Sequence, residues 1–137
     1  MRQIDIDELE FPGDSSGAAL LDGKPFTGEA VRHADGRRVE LRTFIEGYED
    51  GPVLRWSPSG KLIVQGSRKH PHGAVGPWHE WDEEGRLLRE TVYDALGNQV
   101  MTRELDRSGN IVKEERTAPT RLRQDPETGE RAPAPWL

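Results

Sequence analysis

Four histidines occur in the chain, and three of them fall within ten residues, as His70-Pro71-His72 and His79. Two imidazoles spaced as His-x-His can meet on one metal ion. No third ligand is placed beside this pair, and a loop proline fixes no ligand geometry. No catalytic residue, metal ligand or cofactor is therefore assigned. His79 stands two residues before Trp81. A strand histidine beside an aromatic ring can serve as an acid or base near neutral pH, or it can simply pack. Asp82-Glu83-Glu84 has the look of a cation-binding patch but reads as a solvated turn. Glu90 and Glu114 recur at matching positions, where a row of carboxylates can receive the basic side chains of a partner or stay a wetted face. No glycine-rich loop precedes a helix, as a phosphate site needs. No nucleophile elbow is readable, and the chain has no cysteine.

These residues are carried by a repeated element. The run His72-Gly73-Ala74-Val75-Gly76-Pro77-Trp78-His79-Glu80-Trp81 leads through Asp82-Glu83-Glu84-Gly85 into Arg86-Leu87-Leu88-Arg89-Glu90-Thr91-Val92-Tyr93. That is strand, glycine turn, strand: a hairpin. The turn glycines Gly36, Gly60, Gly85 and Gly109 are separated by 24, 25 and 24 residues. A fixed period of this length marks a repeat architecture whose units stack. Strands are expected near 29–34 and 37–45, 52–57 and 61–67, 77–82 and 86–93, and 99–106 and 110–116. Residues 3–11 read as a short first strand, and 18–21 as another. Helix should be nearly absent before residue 117. Between the second and third hairpins, residues 68–77 read as an exposed loop longer than its counterparts.

Alternation assigns side chains to faces. Counted from each turn glycine, Arg32, Trp56, Trp81 and Leu105 are equivalent, and so are Ala30, Leu54, His79 and Arg103. The two sets share a face, with Trp56 and Trp81 as rungs of an aromatic ladder. Phe44, Arg68, Tyr93 and Thr117 form a third equivalent set.

With 33% hydrophobic and 32% charged residues, the core should be thin, as in a single twisted sheet. The net charge of −6 argues against nucleic-acid backbones and against an anionic membrane surface, and it favours a basic partner. No apolar run has the length of a membrane span, and the acidic N-terminus does not read as a signal peptide. A cytoplasmic protein is expected. Residues 1–116 read as one repeat domain, and 117–137, with four prolines, as a tail that is flexible or laid across the surface. Trp136 and Leu137 at its end are placed to dock on the sheet or on a partner.

The pattern Gly-x-x-x-x-Trp-x-x-x-Gly-x-Leu, with turns of Asp-Gly type at a period near 24, resembles the MORN-repeat variant of bacterial YwqK-type antitoxin and immunity proteins. Asp22-Gly23-Lys24-Pro25-Phe26-Thr27-Gly28-Glu29-Ala30 is similar to the way members of that family begin. The resemblance covers about residues 18–116. It implies an elongated antiparallel meander of stacked hairpins and a protein partner, and it supplies no catalytic residue. The 68–77 segment and the fourth repeat, which lacks the tryptophan, depart from the pattern.

An all-β chain of this kind is expected to be an antitoxin or immunity module that covers a basic toxin with one face of its sheet. Two alternatives remain open. One is a scaffold or accessory domain that binds a peptide or small molecule, and the other is a small tailoring enzyme that uses His79 and nearby carboxylates. The binding residues expected are Trp56, Trp78, His79, Trp81, Tyr93, Glu90 and His72, with the face of Trp56, His79 and Trp81 as the contact surface. Open sheet edges leave an edge-paired homodimer available.

Overall fold

The computed structural model describes residues 2–13, 17–124 and 126–132. Nine strands form one open sheet: β1 (Gln3–Asp5), β4 (Gly28–Ala34), β5 (Arg37–Ile45), β6 (Tyr48–Trp56), β7 (Leu62–Lys69), β8 (Gly73–Trp81), β9 (Leu87–Tyr93), β10 (Gln99–Leu105) and β11 (Ile111–Arg116). From β4 to β11 each strand pairs antiparallel with the next, so the sheet is a meander of stacked hairpins. β1 joins its first edge, parallel to β4. Two small hairpins lie outside the sheet, β2 (Leu20–Leu21) with β3 (Lys24–Pro25), and β12 (Arg123–Gln124) with β13 (Arg131–Ala132).

The turns explain the register. Ser57, Asp82, Asp94 and Asp106 each begin the same five-residue device. The first residue's N–H donates to the carbonyl of the fifth, and a glycine at the fourth position donates back to the carbonyl of the first. In the three Asp versions Oδ1 also accepts the N–H groups of the third and fifth residues. The glycines sit at φ of 81 to 92°, where a side chain is strained. The first hairpin is different. Asp35 and Gly36, both at positive φ, form a two-residue loop, and Ala34 pairs directly with Arg37.

That shorter turn overturns one expectation. Arg32 lies opposite Glu40, which lies opposite Arg55, and Ala30 lies opposite Arg42, which lies opposite Val53. Ala30 and Arg32 therefore stand on the face opposite Leu54 and Trp56. Counted from the turn glycine, the pairing is shifted by one residue, and a one-residue shift in register moves a strand's whole side-chain set to the other face.

Two further expectations change. Residues 68–77 are not an exposed loop, because β7 continues to Lys69, β8 begins at Gly73, and only His70–His72 turn. Between the pairs Gln65↔His79 and Ser67↔Val75, the three residues Gly76, Pro77 and Trp78 stand opposite Gly66 alone. This bulge accommodates a proline that has no N–H for the ladder. The first strand also ends early, at Asp5. The Asp5 side chain accepts from Asp7 N–H, and Glu8 accepts from Asp5 N–H, a capping box that starts a 3-10 turn at Ile6–Glu8.

The main apolar core lies at the N-terminal end. Ile4, Ile6, Leu9, Ala19 and Phe26 pack against Ala30 and Phe44 of the sheet. Backbone bonds from Ala19 to Gly47 and from Gly47 to Phe26 tie this layer down. A smaller cluster joins Val92, Val100 and Met101. Beside it the chain beyond β11 is held by buried Asn98. Its Oδ1 accepts from the N–H of Thr120 and Arg121, and its Nδ2 donates to Arg121 O at 2.8 Å. Residues 117–121 are thus laid on the sheet, while Trp136 and Leu137 lie outside the described residues. β11 is an exposed edge along its whole length. Among the described residues no helix is long and apolar enough to cross a membrane.

Candidate binding face

Alternation along β8 sends consecutive side chains to opposite faces. Trp78 points to one face, with Tyr93 of β9 edge-on to it at 6.4 Å. His79 and Trp81 point to the other, with Glu90, directly opposite His79 across the β8–β9 pair. Trp56 lies on this second face by alternation from Leu54. His72 sits in the turn between β7 and β8, and His70 beside it stacks flat on Tyr48 at 3.8 Å. The residues expected to bind thus divide between two faces and one end of the sheet.

Trp78 is seated by a glycine. A Cβ built on Gly66 would fall 2.1 Å from Trp78 Cδ2, so the indole lies directly on the bare backbone of β7. The backbone of Gly66 is not in the left-handed region, so the ring, not the backbone, requires the glycine. The indole N–H donates to Ser67 O at 3.1 Å, and the guanidinium of Arg68 lies over the ring at 5.6 Å. Around this floor opens a cleft of about 420 Å³. Val53 and Val64 add apolar surface, and Thr91 and Tyr93 form the far wall.

The near wall is ionic. Glu49 accepts from Arg42 Nε at 2.8 Å, and its other oxygen is 3.8 Å from Arg68 Nε. Glu40 stands 3.5 Å from Arg55 Nε and 4.0 Å from Arg42 Nε. The Glu49 hydrogen bond, partly offset by burial, holds the Arg42 guanidinium above its ordinary pKa. Arg68 is different. Its nearest carboxylate oxygen is beyond hydrogen-bond reach, and its side chain is 41% exposed.

The opposite face forms a cross-strand row: Leu41, Leu54, Gln65, His79, Glu90, Arg103 and Glu114. Its charges are occupied. Glu90 Oε2 meets His79 Nε2 at 2.8 Å, and Glu90 Oε1 meets Arg103 at 3.5 Å. Glu114 lies 3.6 Å from Arg103 and 3.1 Å from Arg116. The Arg103 Nε is buried without a hydrogen bond. His79 stacks on Trp81 at 5.6 Å. Trp56 is covered by Arg38 at 4.7 Å, so the two tryptophans each take a different partner and do not form rungs of one ladder. The carboxylates expected to receive a partner's cations are engaged within the sheet. Among the described residues no three His, Cys, Asp or Glu side chains converge as a metal site.

Arg68, which lines the cleft, and Gly66, which seats the Trp78 ring, were not among the residues expected to bind. A signal for Gly66 exists in the sequence: a glycine inside a regular strand marks a place where something approaches the backbone closely. Comparison with protein-family models, with curated proteins and with solved structures finds no match for this chain.

Proposed function

We propose that the chain is a protein-binding module of the antitoxin or immunity kind, and that it grips its partner with the Trp78 face. One observation carries this reading. A half-buried tryptophan, an arginine stacked over it and a tyrosine at its edge are gathered in an open cleft. Trp, Tyr and Arg are the residue types that dominate binding hot spots, and grouped exposed aromatics mark interaction surfaces. The opposite face supports the role less well, because its charges already pair with one another. The hairpin period and its resemblance to MORN-variant immunity proteins point to a toxin as the partner. The net charge of −6 favours a basic one.

The test is co-purification of the full chain with a candidate toxin, followed by the same measurement with Trp78→Ala and Trp81→Ala. Loss of the complex with the first variant alone supports the reading. Loss with the second alone moves the interface to the other face. A small-molecule accessory role has one observation in its favour, since the cleft volume falls within the range of small-ligand sites, about 300–1,000 Å³. It predicts saturable binding of a compound with no protein partner.

A further inference from the structure

Beside Trp78 the side chains differ in how far their hydrogen-bonding capacity is used. Glu49 and Glu40 each lie between two arginines, Arg42 with Arg68 and Arg42 with Arg55. Glu80, at the far lip, stands 3.7 Å from Arg89, which bonds Glu104 at 3.2 Å. The carboxylates therefore already face cations. The guanidinium of Arg68 lines the open cleft over the Trp78 ring; it is ion-paired with Glu49 at 3.8 Å but makes no hydrogen bond among the described residues. An arginine held by stacking is a preorganised fork for a carboxylate, because little of its rotamer freedom is left to lose. Apart from Thr91, the floor and far wall beside it are apolar or aromatic: Val53, Val64, Trp78 and Tyr93.

We infer that this cleft takes a carboxylate attached to an apolar or aromatic body, such as an acidic side chain beside an aromatic one on the partner. Arg68 receives the carboxylate, and the ring or chain behind it rests against Trp78 and Tyr93. The inference rests on the reading of this face as the partner-binding face. It adds a separation of charges: the acidic chain as a whole attracts a basic protein, while the anchor in the cleft is anionic. That division gives specificity, since a partner bearing only cations leaves Arg68 desolvated with no carboxylate nearer than Glu49 at 3.8 Å.

The test uses the full chain and two probes with the same ring and opposite charge, phenylacetate and phenethylamine, followed by amide and indole N–H shifts in nuclear magnetic resonance. The expected result is a saturable shift of the Trp78 indole N–H and the Arg68 amide with phenylacetate and a much weaker one with phenethylamine. Arg68→Gln should lower phenylacetate affinity about tenfold, the worth of one charge-assisted hydrogen bond. Glu49→Gln should raise it, because a competing carboxylate is removed from beside Arg68. Stronger binding of phenethylamine, absence of any shift with phenylacetate, or unchanged affinity in Arg68→Gln would each overturn the inference. The broader reading fails separately, when Trp78→Ala leaves capture of the toxin intact.

Discussion

On one side of β8, Trp78 lies on the bare backbone of Gly66 with Arg68 above it. On the other side, one residue further on, His79 stacks on Trp81 and meets Glu90. Both faces combine aromatic rings with arginines and glutamates. The difference lies in spacing. On the His79 face, oppositely charged residues stand directly across from one another on successive strands, so each charge finds its partner inside the sheet. On the Trp78 face Glu40 and Glu80 also stand across from arginines, but beside the bulge opposite Gly66 Arg68 lies over a ring, and its carboxylate neighbour Glu49 stays 3.8 Å away, beyond hydrogen-bond reach. A face completed internally stabilises the sheet, and a face left incomplete is available to something else.

The largest effect should come from Gly66→Ala. The added methyl group meets the indole at far less than van der Waals distance. Either the strand or the ring must move, at a cost of about 1–3 kcal/mol. Denaturant unfolding of Gly66→Ala, Trp78→Ala and the double variant measures it. In the Trp78→Ala background, Gly66→Ala should be neutral or stabilising, because alanine restricts the unfolded chain more than glycine does. Equal costs in both backgrounds would show that the glycine serves the backbone and not the ring.

Next in size are the two tryptophans. Trp78 and Trp81 are both partly buried, so each truncation should cost less than the roughly 3–5 kcal/mol of a fully buried aromatic. Binding should separate them. Trp78→Ala should weaken the partner complex by at least about 2 kcal/mol, and Trp81→Ala should leave it nearly unchanged, as calorimetric titration would show. The reverse order would break the comparison.

The meander was legible in the sequence because the glycine turns repeat and the alternation between them is regular. The same counting failed where turn length varied. Asp35-Gly36 is one such place, since its two-residue loop moved Ala30 and Arg32 to the other face. His70–His72 is another, where proline and glycine signals suggested a long loop but were absorbed by a bulge within the strands. The cleft was half legible. Trp78 and Tyr93 were expected to bind, but Arg68 was not, because its role depends on a stacking contact that spacing alone does not encode. The Asp94 and Asp106 turns teach the same lesson. Both read Asp-x-x-Gly-Asn, yet Asn98 is buried and holds Thr120 and Arg121, while Asn110 is exposed.

A smaller effect is expected from Glu90→Gln, which uncouples His79 from Arg103. These side chains are 22–33% exposed, so the cost should be about 1 kcal/mol or less. It should shrink further in high salt, which screens the row. Thermal unfolding at two ionic strengths checks this, and binding of the proposed partner should be unaffected. A loss of binding comparable to that of Trp78→Ala would show that the row of charges also serves the partner.

The smallest effect concerns the turns that set both faces at once. Asp82 closes the turn between β8 and β9, and Asp106 closes the one between β10 and β11. Both carboxyls are held below the ordinary aspartate range. For Asp82 the first cause is the hydrogen bond from the Arg86 side chain, and for Asp106 it is the backbone N–H of Asn110. A carboxyl depressed in the folded state contributes stability that is complete above its unfolded pKa, about 3.9. That contribution is lost as the pH falls through the lower folded value. Asp82→Asn and Asp106→Asn should therefore melt below the parent chain at neutral pH, and the three melting curves should converge in acid below about pH 4. Salt should distinguish the two turns. The Asp82 contribution leans on a partly exposed ion pair and should decline at high ionic strength, while the Asp106 contribution leans on the backbone and should persist. If Asp82→Asn shifts binding at the Trp78 face without a matching change in melting temperature, the turn acts on that face alone and the two faces are less independent than their contacts imply.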